Sequence, residues 1–193
     1  MDLLVSFITS FVTLFVIMDP FASLPAFIAL TKNFNDSQRV KAANKAVLIA
    51  GILAVIFLFA GTALLDILGI SLGSFRVAGG ILLALLGLET VLGFSFNHGE
   101  KKQDLNAVAV LIATPLLTGP GLLSSLILLS SQFGYWIPLG AVVAALTLSW
   151  LILHYSHLLK RVLGNQIIDI SSKVMGLLLV GIGIEFIRGG LLA

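Results

Sequence analysis

Apolar residues fill this chain in runs of about 20 or more, separated by short polar stretches. Runs of that length are what an α-helix needs to cross the hydrocarbon core of a bilayer. Six can be placed, at about 3–31, 46–65, 74–94, 107–131, 135–157 and 167–188. The pattern predicts an all-α membrane protein with six transmembrane helices. Thr31 to Ala46 reads as a polar connection carrying Lys32, Asp36, Arg39, Lys41 and Lys45. Asp66 to Gly73 reads as a turn. Ser95 to Asn106, with His98, Glu100, Lys101, Lys102 and Asp104, is the most hydrophilic segment. Tyr135 and Trp136 at one end of the fifth run, and Trp150 and Tyr155 toward the other, have the placement of interface anchors.

Two of the runs are interrupted. Met18-Asp19-Pro20-Phe21-Ala22-Ser23-Leu24-Pro25 lies inside the first, and Ala113-Thr114-Pro115-Leu116-Leu117-Thr118-Gly119-Pro120-Gly121 inside the fourth. Proline removes a backbone donor and clashes with the preceding turn. A carboxylate at bilayer depth costs roughly 2.5–3.5 kcal/mol on insertion scales. Such backbone is tolerated in a bilayer only where it is buried in protein or lines a cavity. The first and fourth helices are therefore expected to be broken. Pro25 and Pro120 each suit the first position of a restarted half-helix, where a missing N–H costs nothing. Ser23, or Thr118 with Gly119, would then cap that start or leave N–H groups free.

The two segments are related. An offset of 95 carries Pro20 and Pro25 onto Pro115 and Pro120. An offset of 96 carries Gly80, Gly87, Glu89 and Gly93 onto Gly176, Gly183, Glu185 and Gly189, so one inserted residue reconciles the registers. The reading is an internal duplication, about 1–95 and 107–193, within a single transmembrane domain covering 1–193. Three spans per half is an odd number, so the second half enters the membrane from the opposite side. Two inverted three-helix repeats are a design shared by many secondary transporters, whose substrates sit near the midplane between discontinuous helices.

Composition and charge sharpen this. The chain has 193 residues, 59% hydrophobic and 10% charged, with a mean hydropathy of +1.13. A soluble domain carries about 25% charged residues. The net charge of +2 does not point to nucleic acid, because the basic residues fall in short loops. With the N-terminus outside, nine of the eleven Lys and Arg residues fall in connections on the cytoplasmic side, leaving Arg76 and Arg188 outside. That bias predicts both termini outside. The absence of cysteine excludes disulfides and thiol chemistry. The first run lacks a basic leader and is too long for a cleaved signal, so it is expected to be retained as a span.

The candidate chemistry lies at the interruptions. A helix start carries roughly +0.5 charge and attracts anions. Asp19 beside it suits an ammonium group, a proton or a cation. The candidate binding residues are Asp19, Pro20, Ser23, Pro25, Thr114, Pro115, Thr118, Gly119, Pro120 and Gly121, and together they match a zwitterion. The plainer alternative is that the prolines only kink packed helices. Asp19, Glu89 and Glu185 are candidate ion-coupling carboxylates, although the two glutamates also fit interfacial residues that snorkel or cap. Arg76 suits a pair with Asp66, a half-helix cap, a gating contact or a contact with substrate. The glycines at 80 and 87, and at 176 and 183, share a helix face and permit close approach. His98, His154 and His157 lack metal-ligand spacing, so no metal is expected. No phosphate-binding glycine loop or Ser/His/Asp set is present, so neither ATP-driven transport nor enzymatic chemistry is expected.

Four motifs carry a resemblance. Asp19-Pro20-x-x-x-x-Pro25-x-Phe27, Phe75-Arg76-Val77-Ala78-Gly79-Gly80, Pro115 to Gly121, and Met175-Gly176-Leu177-Leu178 through Gly183-Ile184-Glu185-Phe186 resemble the MarC family over essentially the whole chain. The resemblance implies a six-span inner-membrane protein and, from members so described, transport of small neutral amino acids such as glycine and alanine. Where the family often has Gly and Asn after Asp-Pro-x, this chain has Ala22 and Ser23, which changes the room and hydrogen bonding at the segment. The expected function is secondary transport of such a solute, coupled to H⁺ or Na⁺. Its expected partners are a small zwitterionic solute, the coupling ion and membrane lipid, with a homo-oligomer compatible. The alternatives are an exporter of other small metabolites or drugs, and a non-transporting scaffold or assembly factor.

Overall fold

A computed structural model describes residues 3–31, 33–93 and 105–192, and in them the chain is helical apart from short connections. Lys32 and the hydrophilic stretch with His98, Glu100, Lys101, Lys102 and Asp104 lie outside the described residues. Helix α1 covers Leu3–Met18, α2 Pro20–Leu30, α3 Asp36–Ile67 and α4 Leu72–Leu92. Helix α5 (Leu105–Leu111) runs into a π-helical stretch, Ile112–Leu117, followed by α6 (Pro120–Phe133), α7 (Trp136–His154) and α8 (Ser156–Leu191). Four segments, Asp36–Ile67, Leu72–Leu92, Trp136–His154 and Gln166–Leu191, are long and apolar enough to cross a membrane. The protein is a multi-pass membrane protein.

One connection expected from polarity is largely helix. Helix α3 starts ten residues before the apolar run does, because two signals outweigh the charges between Thr31 and Ala46. Asn35 and Gln38 form a reciprocal cap: Gln38 N–H donates to Asn35 Oδ1 (2.8 Å) and Asn35 N–H to Gln38 Oε1 (3.0 Å). Ala42, Ala46, Ala50 and Ala54 then fall on one helical stripe and are fully buried. At 32 residues and 1.5 Å per residue, α3 is about 48 Å long and overshoots a hydrocarbon core of about 30 Å. Helix α8 also begins early, at Ser156, and bends at Gly164 (φ 73°, ψ 166°), a backbone conformation essentially reserved for glycine.

The outer surface is apolar, with Leu48, Ile52, Val55, Ile56 and Phe59 of α3 all exposed, as a lipid-facing helix requires. Lipid is as apolar as these side chains, so helix association rests on close packing of small residues. The most extensive contact of all is between α4 and α8. They run antiparallel. A methyl built on Gly80 would lie 2.5 Å from the Gly183 carbonyl oxygen, and one on Gly183 2.6 Å from that of Gly80. Gly87 and Gly176 approach each other in the same reciprocal way, at 2.5 and 2.9 Å.

Polar contacts mark the two ends of the bundle. At one, Lys45 Nζ donates to Asn106 Oδ1 and Trp150 Nε1 to Asn44 Oδ1, both at 2.6 Å. At the other, Phe59 stacks on Tyr135 with ring centroids 5.4 Å apart.

Candidate functional site

The first interruption begins where Pro20 removes the N–H that would close a turn onto Val16. Asp19 N–H takes that carbonyl instead (3.1 Å) and also lies 3.2 Å from the Phe15 oxygen. To do so Asp19 adopts φ +38°, the one non-glycine positive φ among the described residues. Aspartate visits this region more readily than most residues. The helix restarts at once, with Pro20 as the first residue of α2. Asp19 is thus an acid at the start of a helix, where the macrodipole favours negative charge, and it is only 4% exposed. Its carbonyl oxygen accepts both the N–H and the hydroxyl of buried Ser23, each at 3.1 Å.

The restart thus falls five residues earlier than the sequence suggests. Pro25 lies inside α2, not at its start, and Ser23 bonds back into its own turn instead of capping a helix that begins at Pro25. With no N–H at Pro25, the Phe21 carbonyl lacks its usual donor. The Ser172 hydroxyl of α8 stands 2.9 Å from it. Nothing in the local sequence around Pro25 signals Ser172, since the contact joins residues 151 apart.

The second interruption is built differently. The backbone widens into the π-helical turn holding Thr114 and Pro115, leaves helical geometry at Thr118, and restarts behind Gly119 (φ −62°, ψ 166°) with Pro120 opening α6. The Ala113 carbonyl accepts both the N–H (2.8 Å) and the hydroxyl (2.7 Å) of buried Thr118. Gly121 is filled from the other half, because a methyl there would strike the Leu83 side chain of α4. The 95-residue offset superposes Ser23 on Thr118. Both send N–H and O–H to a single carbonyl, four residues back in the first case and five in the second. The extra residue is the π-helical insertion.

These segments meet. Helix α1 packs on α6 and α2 on the π-helical stretch, and Met18, Ile112, Ala113, Leu117 and Leu122 share one buried cluster. Around it stand a buried acid, two buried hydroxyls and the starts of two helices. Such a set offers a carboxylate for a cation or ammonium group, and main-chain N–H groups and hydroxyls for an anion.

The other candidates lie elsewhere. The Arg76 guanidinium sits 5.5 Å over the Phe186 ring, in space left by Gly189, where a methyl would strike it. Arg76 therefore joins α4 to α8. Glu185 is exposed and pairs with Arg188 at 2.9 Å. Glu89 is part-buried one turn before Gly93 closes α4. Among the described residues no group of three or more His, Asp or Glu could hold a metal. An open recess of about 570 Å³ lined by Ser71, Ser74, Val77 and Gly190 is at the N-terminal end of α4 and the C-terminal end of α8, among none of the residues of the two interruptions.

Residues 4–193 match the family model described as MarC family integral membrane protein. A UPF0056 membrane protein of Archaeoglobus fulgidus is 36% identical over 195 residues, covering 96% of this chain and 92% of that one. The UPF0056 membrane protein YhcE of Escherichia coli is 33% identical over 195 residues, covering 94% and 89%. A UPF0056 membrane protein of Aquifex aeolicus is 31% identical over 198 residues, covering 97% and 92%. No solved structure matches.

Proposed function

We propose a transport function for this chain, which belongs to the MarC family of integral membrane proteins. In this reading it is a secondary transporter of small neutral amino acids of the glycine or alanine type, coupled to H⁺ or Na⁺. The observation that carries the reading is the pair of interruptions: two helix restarts, packed together, with buried Asp19 and the repeat-related hydroxyls of Ser23 and Thr118 among apolar residues. A zwitterion suits a site that pairs one carboxylate with main-chain N–H groups and hydroxyls. Asp19 would face the ammonium group or the coupling ion, and the start of α6 at Gly119 to Gly121 the carboxylate.

The same reading takes residues 1–95 and 107–193 as inverted repeats, with α1–α2 and α5–α6 as the two broken spans. Its support is the α4–α8 seam: an offset of 96 turns the Gly80–Gly183 approach into Gly176–Gly87, as a twofold axis in the membrane plane requires. We place the Lys45 end of the bundle in the cytoplasm and both termini outside an inner membrane, following the Lys and Arg bias. The broken spans would rock or gate between outward and inward access.

The test is uptake of labelled glycine and alanine by proteoliposomes under an imposed H⁺ or Na⁺ gradient. Accumulation above empty vesicles that collapses with an ionophore is expected. Uptake no greater than that of empty vesicles, across all small neutral amino acids and both gradients, would remove the reading.

A further inference from the structure

Pro25 leaves the chain without the amide that would close a turn onto Phe21, and a carbonyl left unmatched in a bilayer interior costs on the order of several kcal/mol. Ser172 stands 2.9 Å away, on a helix of the other half, and is only 6% exposed. Its Oγ is also 2.9 Å from the Ile168 carbonyl one turn earlier on α8, the acceptor a serine inside a helix commonly takes. The hydroxyl carries one proton, so the two oxygens compete for it. The Ile168 carbonyl has the amide of residue 172 four positions on; the Phe21 carbonyl has only proline there. The proton stabilises more where the amide is missing.

We propose that Ser172 is a positioning residue that substitutes for the amide missing at Pro25, tying α2 to α8 across the two halves. Phe21 is the second residue of α2, directly behind Asp19 and Pro20, so the bond fixes the placement of the acid. A proline inside a membrane helix and a serine about 150 residues later then form one device: the first creates the vacancy and the second fills it from outside the helix. Separation of α2 from α8 strips the carbonyl of its donor, so these elements move together unless water enters between them.

The test is a double-mutant cycle on the full-length chain in detergent, read by thermal unfolding. Ser172→Ala is expected to lower the apparent midpoint by about 2–6 °C, from the range of hydrogen-bond energies measured inside membranes and the usual conversion to temperature. Pro25→Ala restores an amide at that position. In its background Ser172→Ala is expected to shift the midpoint by less than about 1 °C. A serine that serves only local packing would not couple to position 25. Equal shifts in both backgrounds would overturn the proposal, as would a Ser172→Ala chain that fails to fold and is not recovered by Pro25→Ala. The cycle requires no substrate. Failed uptake would therefore count against the transport reading and leave the role of Ser172 standing, whereas equal shifts would do the reverse.

Discussion

Gly80→Ala puts a number on the α4–α8 seam. The added methyl would sit 2.5 Å from the Gly183 carbonyl oxygen and 2.9 Å from the Ile187 nitrogen. Ordinary carbon–oxygen contacts are about 3.3–3.6 Å, so the methyl is about 1 Å too close. The obstructing atoms belong to helical backbone and cannot swing aside, so the two helices must part. The same seam holds the Gly87–Gly176 approach two turns further along the same face, and parting at one contact loosens the other. Overpacking of this kind costs about 1–3 kcal/mol. The comparison that isolates it is Gly181→Ala, on α8 itself, where a methyl meets nothing within 4 Å. Both changes gain the same helix propensity, about 1 kcal/mol, so their difference is the clash. Thermal unfolding of the purified chain in one detergent should place Gly80→Ala about 3–10 °C below Gly181→Ala. Gly183→Ala, the reciprocal contact, should fall with Gly80→Ala. Midpoints of Gly80→Ala and Gly181→Ala within about 1 °C of each other would show that the backbones do not meet there, and the argument from close approach would fail.

Other outcomes follow from the interruptions and the bend. Asp19→Asn keeps a side chain that tolerates φ +38°, so the midpoint should stay within about 2 °C while gradient-driven uptake is lost. Retained uptake with unchanged ion dependence would exclude Asp19 as the coupling group. Asp19→Ala should unfold earlier than Asp19→Asn, since positive φ strains alanine by about 1 kcal/mol or more. Gly164→Ala should cost about 1–3 kcal/mol at the bend of α8, seen as a lowered midpoint; an unchanged one would mean that the bend relaxes freely.

The sequence makes the class of this protein plain and leaves the details of the interruptions hidden, for identifiable reasons. Long apolar runs require a helical membrane protein, and the four motifs shared with MarC proteins point to the family that the comparisons establish. Helix α1 stops one residue before the Asp19-Pro20 pair, and proline chemistry alone marks that position. The sequence points to Pro25 as the restart, whereas the helix resumes at Pro20 because Asp19 takes the positive φ that lets it do so. At the second interruption Pro120 does open α6, because Gly119 supplies an extended residue before it. The charges between Thr31 and Ala46 suggest a loop, yet α3 already begins at Asp36. The alanine stripe and the Asn35–Gln38 cap were visible, but a polar surface does not prevent a helix whose other face is buried. For Arg76 the sequence leaves several readings open; its placement over the Phe186 ring, in the gap at Gly189, depends on the α4–α8 packing and is not visible in the local sequence.

Among the described residues, every extensive contact of α1, α2, α3 and α4 is with a segment beyond residue 105. These four helices therefore have little to fold against when they first leave the ribosome. They wait in the lipid until α5 and α6 emerge to meet α1, α3 and α4, and the glycine face of α4 stays wetted by acyl chains until α8 follows. Without α8, the glycine face of α4 has no backbone to meet, and the most extensive contact in the molecule cannot form.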